Sequence, residues 1–171
     1  LELPKKVFGH PWLLFGTDKM SKSKGNVIYA DDLVRYFGVD AIRYYLLSEM
    51  PYAADGSITY TTIIERYNSE LANTLGNLVN RTVLFVQKYY NSKIPQGMYD
   101  EDLWKKVIRI EDVITDNLEW ANLKDAFHLC FEISDICNKK FQETEPWKTR
   151  VTEPQKAENL IFNLCYVIKD L

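Results

Sequence analysis

The chain has 171 residues, of which 46% are hydrophobic and 26% charged, and its formal net charge is -3. This composition suits one globular domain, or a small module plus one domain, and it excludes a disordered or fibrous chain. No run of eighteen apolar residues is present, so the sequence predicts no membrane-spanning helix. The slightly acidic balance argues mildly against a nucleic-acid binder, although RNA can also be recognised by local patches and stacking.

The ends and the cysteines indicate the context of the chain. It lacks an initiator Met and a signal-peptide pattern, and it ends in an apolar run, so we expect a segment of a longer protein. The three cysteines, Cys130, Cys137 and Cys165, have the spacing of neither a disulfide framework nor a zinc site. We expect reduced thiols in a cytoplasmic protein, no metal site in this segment, and Cys130 and Cys137 on or near a buried helix face.

Residues 1–58 are predicted to form a small module with both α and β structure. In chain order it contains an extended segment, a turn, a basic loop, two short helices and a second turn, at residues 7–15, 16–18, 19–26, 31–37, 41–50 and 54–57. Gly38 and Pro51 mark the ends of the two helices. Trp12, within the apolar extended segment, is predicted to be a core residue.

Residues 59–171 are predicted to form an antiparallel helical bundle, which makes the fold mainly α. Four helices are expected at about 60–90, 101–117, 120–143 and from 154 onward, with a loop bracketed by Pro146 and Pro154. In the first helix, apolar spacing of three or four residues predicts the buried face: Ile64, Tyr67, Leu71, Leu75, Leu78, Thr82 and Phe85. Trp104 and Trp120 are predicted to be core or helix-contact residues.

The basic loop from Lys19 to Asn26 reads KMSKSKGN and combines lysines, serine hydroxyls and Gly25. A triphosphate needs mobile positive charge and hydrogen-bond donors on a flexible backbone, and this loop supplies both. Composition alone fits a solvated surface loop at least as well, so the loop by itself does not identify a phosphate site.

Two features of the helical region are compatible with RNA binding. One side of the first long helix carries polar residues that can read base edges: Asn73, Asn77, Asn80 and Arg81. The same stripe could be a solvated face or a helix–helix contact. Trp147 follows Pro146 in a break between helices, where it could cap the core or stack on a splayed base.

The segment Lys19-Met20-Ser21-Lys22-Ser23 reproduces the KMSKS signature of class I aminoacyl-tRNA synthetases. Other segments resemble the methionyl-tRNA synthetase family in particular: HPWLL at 10–14, YFGVDAIRYYLL at 36–47, NSELAN at 68–73, GNLVNR at 76–81 and EPW at 145–147. The resemblance covers essentially the whole chain. It implies a module with the KMSKS loop and stem contacts, at 1–58, followed by a C-terminally truncated helical anticodon-binding domain, at 59–171.

The resemblance also implies roles for two sets of residues. Four residues of the loop are expected to bind ATP: Lys19, Ser21, Lys22 and Ser23. Of these, Lys22 and secondarily Lys19 are expected to act catalytically, by stabilising the pyrophosphate leaving group during adenylation. Four residues of the helical region are expected to form the pocket for the CAU anticodon of tRNA(Met): Asn77, Arg81, Pro146 and Trp147.

The implied activity is that of a methionine–tRNA ligase, with methionine, tRNA(Met) and ATP with Mg²⁺ as substrates. No His-Ile-Gly-His-type motif of a nucleotide-binding half occurs in the sequence. The isolated chain is therefore expected to be inactive and to hold no tightly bound cofactor. Two alternatives remain: the same part of another class I synthetase, such as the cysteinyl, leucyl or valyl enzyme, and a non-catalytic helical module that binds RNA or protein.

Overall fold

The computed structural model describes residues 2–5, 7, 9–49 and 54–171. In these ranges the elements follow in the order β1 (Leu13–Phe15), β2 (Asp18–Lys19), a 3₁₀ turn (Lys22–Lys24), α1 (Ala30–Phe37), α2 (Val39–Glu49), β3 (Gly56–Ile58), α3 (Tyr60–Arg66), a π-helical segment (Tyr67–Gly76), α4 (Asn77–Tyr89), α5 (Glu101–Glu119), α6 (Leu123–Thr144), α7 (Pro146–Thr152) and α8 (Pro154–Asp170). The predicted mainly helical fold with a small mixed module is confirmed. Phe8 and the predicted helix end at Met50 and Pro51 lie outside the described residues. None of the helices in the described ranges is long and apolar enough to cross a membrane.

A three-stranded sheet with the order β2-β1-β3 supports the small module. Strand β1 pairs antiparallel with β2 and parallel with β3, with Leu14 opposite Ser57. Helices α1 and α2 lie between β1 and β3 in the chain, as a parallel connection requires. The turn predicted at 54–57 is therefore wrong in its second half. Residues 56–58 form a strand despite their polar sequence because they pair with β1. Next to this pairing, the Gly16 amide donates to the Ile58 carbonyl over 3.3 Å.

The core of the small module joins its helices to the end of β3. The buried residues of this core are Leu33, Ile42, Tyr45, Ile58 and Ile63. Trp12 is 68% exposed, so the prediction that it belongs to the core is wrong. Its neighbour Leu13 packs against this core instead. Because successive side chains of an extended chain point in opposite directions, only one of the two can do so.

The long helix predicted for residues 60–90 is present, but its middle is π-helical at Tyr67–Gly76. Beyond this segment, three residues of the predicted face are buried: Leu78, Thr82 and Phe85. Before this segment the prediction is wrong, because Ile64 is 48% exposed and Ile63 is buried in its place. Tyr67, the first residue of the segment, is also exposed. A π turn closes hydrogen bonds over more residues than an α turn, so the buried stripe is shifted across the segment.

The larger core lies among α4, α5, α6 and α8, and among its buried residues are Leu78, Phe85, Val107, Ile133, Ile161 and Leu164. Trp104 packs against this core, as predicted. Trp120 is predicted to be a core or a helix-contact residue, and its exposed fraction of 77% shows that the core position is wrong. It is the C-cap residue of α5, where the chain turns through Ala121 at a φ of 60°.

Pro146 and Pro154 each begin a helix, so the loop predicted between them is wrong. Helix α7 occupies most of that stretch. The fixed φ of proline and its missing N–H suit the first position of a helix, where the amide has no partner inside the helix. Glu145, at a φ of 47°, separates α6 from α7 and allows the chain to change direction there.

The cysteines of α6 behave as predicted. Cys137 is completely buried in the larger core and Cys130 is half-buried. Burial raises the pKa of the Cys137 thiol to about 12, which keeps it protonated and unreactive at neutral pH.

The module and the bundle meet at α2 and α6. The Tyr44 ring packs edge-on against Phe127 and Phe131, with ring centroids 5.8 and 5.5 Å away. The Tyr44 hydroxyl donates to Glu70, which also accepts from Arg66 over 2.5 Å. Burial, and then the hydrogen bond to Glu70, raise the pKa of Tyr44, so this hydroxyl stays protonated and remains a donor.

Replacing Gly97 by alanine is expected to lower the free energy of unfolding by about 1–3 kcal/mol, as overpacking does elsewhere. A Cβ added at Gly97 would lie 2.6 Å from the Phe162 Cβ and 2.9 Å from the Asn159 Cα, both on α8. Urea unfolding followed by circular dichroism measures the change. Gly9→Ala is the matched control, since a Cβ there meets nothing within 4 Å. Equal stability of the two variants would contradict the tight packing at Gly97.

Candidate functional site

The basic loop leaves the small sheet and closes on itself. After β2 the chain forms the 3₁₀ turn Lys22–Lys24, which ends at Gly25 with a φ of 67°. This left-handed conformation favours glycine, because a Cβ would crowd the backbone there. The amides of Lys24 and Gly25 donate to the carbonyls of Ser21 and Lys22 over 3.1 and 3.3 Å. The KMSKS segment is thus a compact turn and not an extended loop.

Asn26 fastens the two ends of this turn. Its side-chain oxygen accepts from the Ser21 amide over 2.8 Å, and its side-chain nitrogen donates to the Lys19 carbonyl over 3.2 Å. The hydroxyls of Ser21 and Ser23 are also hydrogen-bonded to each other over 2.8 Å. Asn26 lay in the predicted loop but not among its predicted site residues. Its two side-chain hydrogen bonds, to Ser21 and to Lys19, are evident only from the tertiary structure.

The side chains of the loop divide between the core and the solvent. Met20 packs against the core of the small module, whereas Lys19, Lys22 and Lys24 are exposed. Lys19 Nζ lies 5.4 Å from the centre of the Trp12 ring, so the exposed Trp12 partners a cation of the loop. Within the described ranges, none of these three lysines forms an ion pair. Their charges remain available to an anion.

The second predicted site lies where α4 meets α6. Asn77 donates to the Asn138 side chain over 3.4 Å, and Asn138 in turn donates to the Thr74 carbonyl over 2.9 Å. One turn further along α4, the Arg81 guanidinium donates to Gln142 Oε1 over 3.1 Å. Both predicted residues are half-buried and point to α6, so part of the predicted polar stripe is a helix–helix contact.

Aromatic rings bring the remaining predicted residues to the same place. The Arg81 guanidinium carbon lies 4.3 Å from the centre of the Phe141 ring. The ring of Phe141 lies 6.3 Å from that of Trp147, at an angle of 34°. Pro146 is buried and begins α7, while Trp147 remains 37% exposed. The structure therefore gathers Asn77, Arg81 and Trp147 around the C-terminal half of α6.

Three residues of this cluster were missed in the sequence: Asn138, Phe141 and Gln142. Phe141 and Gln142 follow Asn138 on α6 by three and four positions, which is the spacing of one helix face. This spacing could have identified them in the sequence. Asn73 and Asn80 are exposed and form none of the hydrogen bonds that link α4 to α6 in the described chain. Of the four residues in the predicted polar stripe, Asn77 and Arg81 are therefore the two that bond to α6 in the described chain.

The cluster carries positive charge beside an exposed aromatic surface. Among the described residues no carboxylate forms an ion pair with Arg81, whose partners are an amide oxygen and a ring face. Asn77 and Gln142 add amide donors and acceptors at its edge. Such a surface can stack a planar ring, hydrogen-bond its edge and attract a phosphate.

Comparison with known proteins agrees with the resemblance seen in the sequence. Residues 1–83 match the family described as tRNA synthetases class I (M). The chain is 42% identical over 163 residues to the methionine–tRNA ligase of Halalkalibacterium halodurans, covering 92% of this chain and 25% of the relative. It is 40% identical over 170 residues to the methionine–tRNA ligase of Caldanaerobacter subterraneus subsp. tengcongensis, covering 96% of this chain and 27% of that relative. The chain thus spans about a quarter of the length of these curated relatives.

Solved structures agree as well. The chain superposes on Mycobacterium tuberculosis methionyl-tRNA synthetase in complex with methionyl-adenylate with a TM-score of 0.91 and 28% identity, covering 99% of this chain and 35% of that one. For the free form of the same enzyme the TM-score is 0.86 at 25% identity, covering 99% of this chain and 34% of that one. Sequence and structure together lead to one conclusion: the chain belongs to the methionyl-tRNA synthetase family of class I aminoacyl-tRNA synthetases.

Proposed function

We propose that the chain is the part of a methionine–tRNA ligase that holds the ATP-stabilising loop and recognises the CAU anticodon of tRNA(Met). The observation that carries the proposal is the convergence of Asn77, Arg81 and Trp147 around α6, although α4 and α7 are far apart in the sequence. Residues that the resemblance assigns to one pocket meet at one surface, where the described residues leave Arg81 without an ion pair. The domain division at 58/59 and the cytoplasmic location remain predictions.

In the proposed anticodon site, each side chain has a separate task. Trp147 offers its exposed face to an unstacked base of the loop, and such stacking contributes roughly 1–3 kcal/mol per base. Arg81 and Asn77 present donors to base edges, held in direction by Gln142 and Asn138. Pro146 fixes the start of α7 and so the direction in which Trp147 points.

In the proposed ATP site, Lys22 and Lys19 stabilise the negative charge that develops on the pyrophosphate when methionine is adenylated. Ser21 and Ser23 add hydroxyl donors, and Asn26 is a positioning residue that keeps the turn closed. ATP with Mg²⁺ and methionine bind in the full-length ligase. The similar Mycobacterium tuberculosis enzyme was solved in complex with methionyl-adenylate, the product of this step. The chain alone is proposed to be inactive.

Replacing Trp147 by alanine is expected to abolish the preference of the chain for a CAU anticodon hairpin over a hairpin with a scrambled loop. The loss of one stacking platform should weaken CAU binding by about 5- to 150-fold, the equivalent of roughly 1–3 kcal/mol. Fluorescence anisotropy of the two labelled hairpins measures both affinities. Trp120→Ala is the matched control, because Trp120 is an exposed tryptophan on another part of the bundle.

The outcomes separate the proposal from its alternatives. A CAU preference that Trp147→Ala removes and Trp120→Ala retains supports an anticodon site at Trp147. Equal affinity of the unmodified chain for both hairpins would contradict anticodon recognition and favour a general RNA-binding module. A preference that survives Trp147→Ala would move the recognition site elsewhere on the chain.

A further inference from the structure

An aromatic stripe continues along α4 from Arg81, away from Asn77. Arg81, Phe85 and Tyr89 are spaced four residues apart, so they lie on one face of the helix. The Phe85 ring contacts Phe141 with centroids 6.0 Å apart and Tyr89 with centroids 4.6 Å apart. The predicted anticodon residues therefore lie at one end of a longer aromatic cluster, of which Phe85 and Phe141 are buried.

Arg150 on α7 covers the far end of this stripe. Its guanidinium carbon lies 4.1 Å from the centre of the Tyr89 ring, and Lys88 Nζ lies 5.2 Å from the same centre. Arg150 follows Trp147 by three residues, so both project from the same side of α7. Two cations thus converge on one ring beside the exposed tryptophan.

The charge of Arg150 is unpaired in the described part of the chain. Lys148, its neighbour on α7, forms an ion pair with Glu145 at 2.9 Å, but Arg150 forms none. Glu158 is near enough to Tyr90 to raise its pKa, after the larger effect of burial, yet makes no ion pair with Arg150. An exposed guanidinium that is held by a ring face keeps its N–H groups free for an anion.

We propose that Arg150, held in place by Tyr89, binds a backbone phosphate of the RNA whose base stacks on Trp147. This inference rests on the proposed function and extends it to a contact that carries no sequence information. A nucleotide stacked on Trp147 brings the adjoining sugar–phosphate within reach of a long side chain one helical turn away. Lys88, whose Nζ also lies near the Tyr89 ring, adds to the local positive potential.

The test compares Arg150→Gln with the unmodified 171-residue chain, using the CAU and scrambled hairpins at several salt concentrations. Loss of one phosphate contact to a single strand should lower the slope of log K against log salt by about 0.7. It should also weaken the binding of both hairpins by about 5-fold at low salt. Arg150→Lys, which keeps the charge, should retain the slope. Lys105→Gln, on the exposed side of α5, is the control for a simple change of net charge.

The result for Arg150 is separable from the result for the anticodon site. A CAU preference together with an unchanged salt slope in Arg150→Gln overturns the phosphate contact and leaves the proposed function standing. A lowered slope without a CAU preference supports the phosphate contact and overturns anticodon recognition. If Lys105→Gln lowers the slope of log K against log salt as much as Arg150→Gln does, the specific contact at Arg150 is overturned. Any lost cation would then have the same effect.

Discussion

Replacing Asn163 by leucine is expected to lower the free energy of unfolding by about 3–5 kcal/mol, because it leaves three part-buried polar groups without their hydrogen-bond partner. Asn163 lies on α8, is 1% exposed and uses its whole amide. Its oxygen accepts from the Asp100 amide and from Trp104 Nε1 over 3.1 and 2.8 Å. Its nitrogen donates to the carbonyls of Met98 and Asn159 over 2.8 and 2.7 Å.

The physical reason is that leucine has nearly the shape of asparagine but no hydrogen-bonding atoms. The amide of Asp100, the indole N–H of Trp104 and the carbonyl of Met98 would lose their partner at part-buried positions, and an unpaired group that water does not reach costs about 1–3 kcal/mol. Urea unfolding measures the change. Asn80→Leu is the matched control, since Asn80 is exposed on α4 and its replacement should change stability by no more than about 0.5 kcal/mol. A loss below about 1 kcal/mol at Asn163 would mean that the segment before α5 is not held by this amide.

In an active ligase, replacing Lys22 by alanine is expected to lower kcat for methionine-dependent ATP–pyrophosphate exchange by about 10²–10³-fold. The enzyme for this test is a chimera in which the present chain replaces the matching quarter of the Halalkalibacterium halodurans ligase. Lys22 is exposed in the KMSKS turn and forms no ion pair with another described residue, so its charge is free to meet the pyrophosphate. The interaction strengthens as negative charge develops, so kcat should fall more than the KM for ATP rises.

Lys24→Ala is the matched control for the loss of one lysine from this turn, and it should change kcat only a few-fold. The chain alone, without the rest of the ligase, should give no exchange. An equal effect of Lys22→Ala and Lys24→Ala would indicate that the turn acts only through its total charge. Exchange catalysed by the isolated chain would overturn the proposal that it is inactive by itself.

The candidate site could be proposed from the sequence as far as its residues were chemically distinctive. The KMSKS segment, Arg81 and Trp147 stand out by residue type and position, and the resemblance to the family supplied their expected roles. Asn138 and Gln142 do not, because a polar residue on a helix is ordinarily solvated, and only the packing of α4 on α6 turns them into partners. Asn26 is similar, since only the closed turn brings Ser21 and Lys19 to its amide.

The class of fold, the basic loop and the family could all be inferred without coordinates, because composition, helical spacing and a contiguous motif are local properties. The three-dimensional packing was needed where the local preference for a strand or a helix was weak, or where the buried face of a helix changed its phase. Gly56–Ile58 is a strand because β1 pairs with it. Ile63 is buried and Ile64 is not because a π-helical segment changes the phase of the buried face. In these cases a distant or irregular contact sets the conformation, and a periodic pattern read along the sequence does not contain that contact.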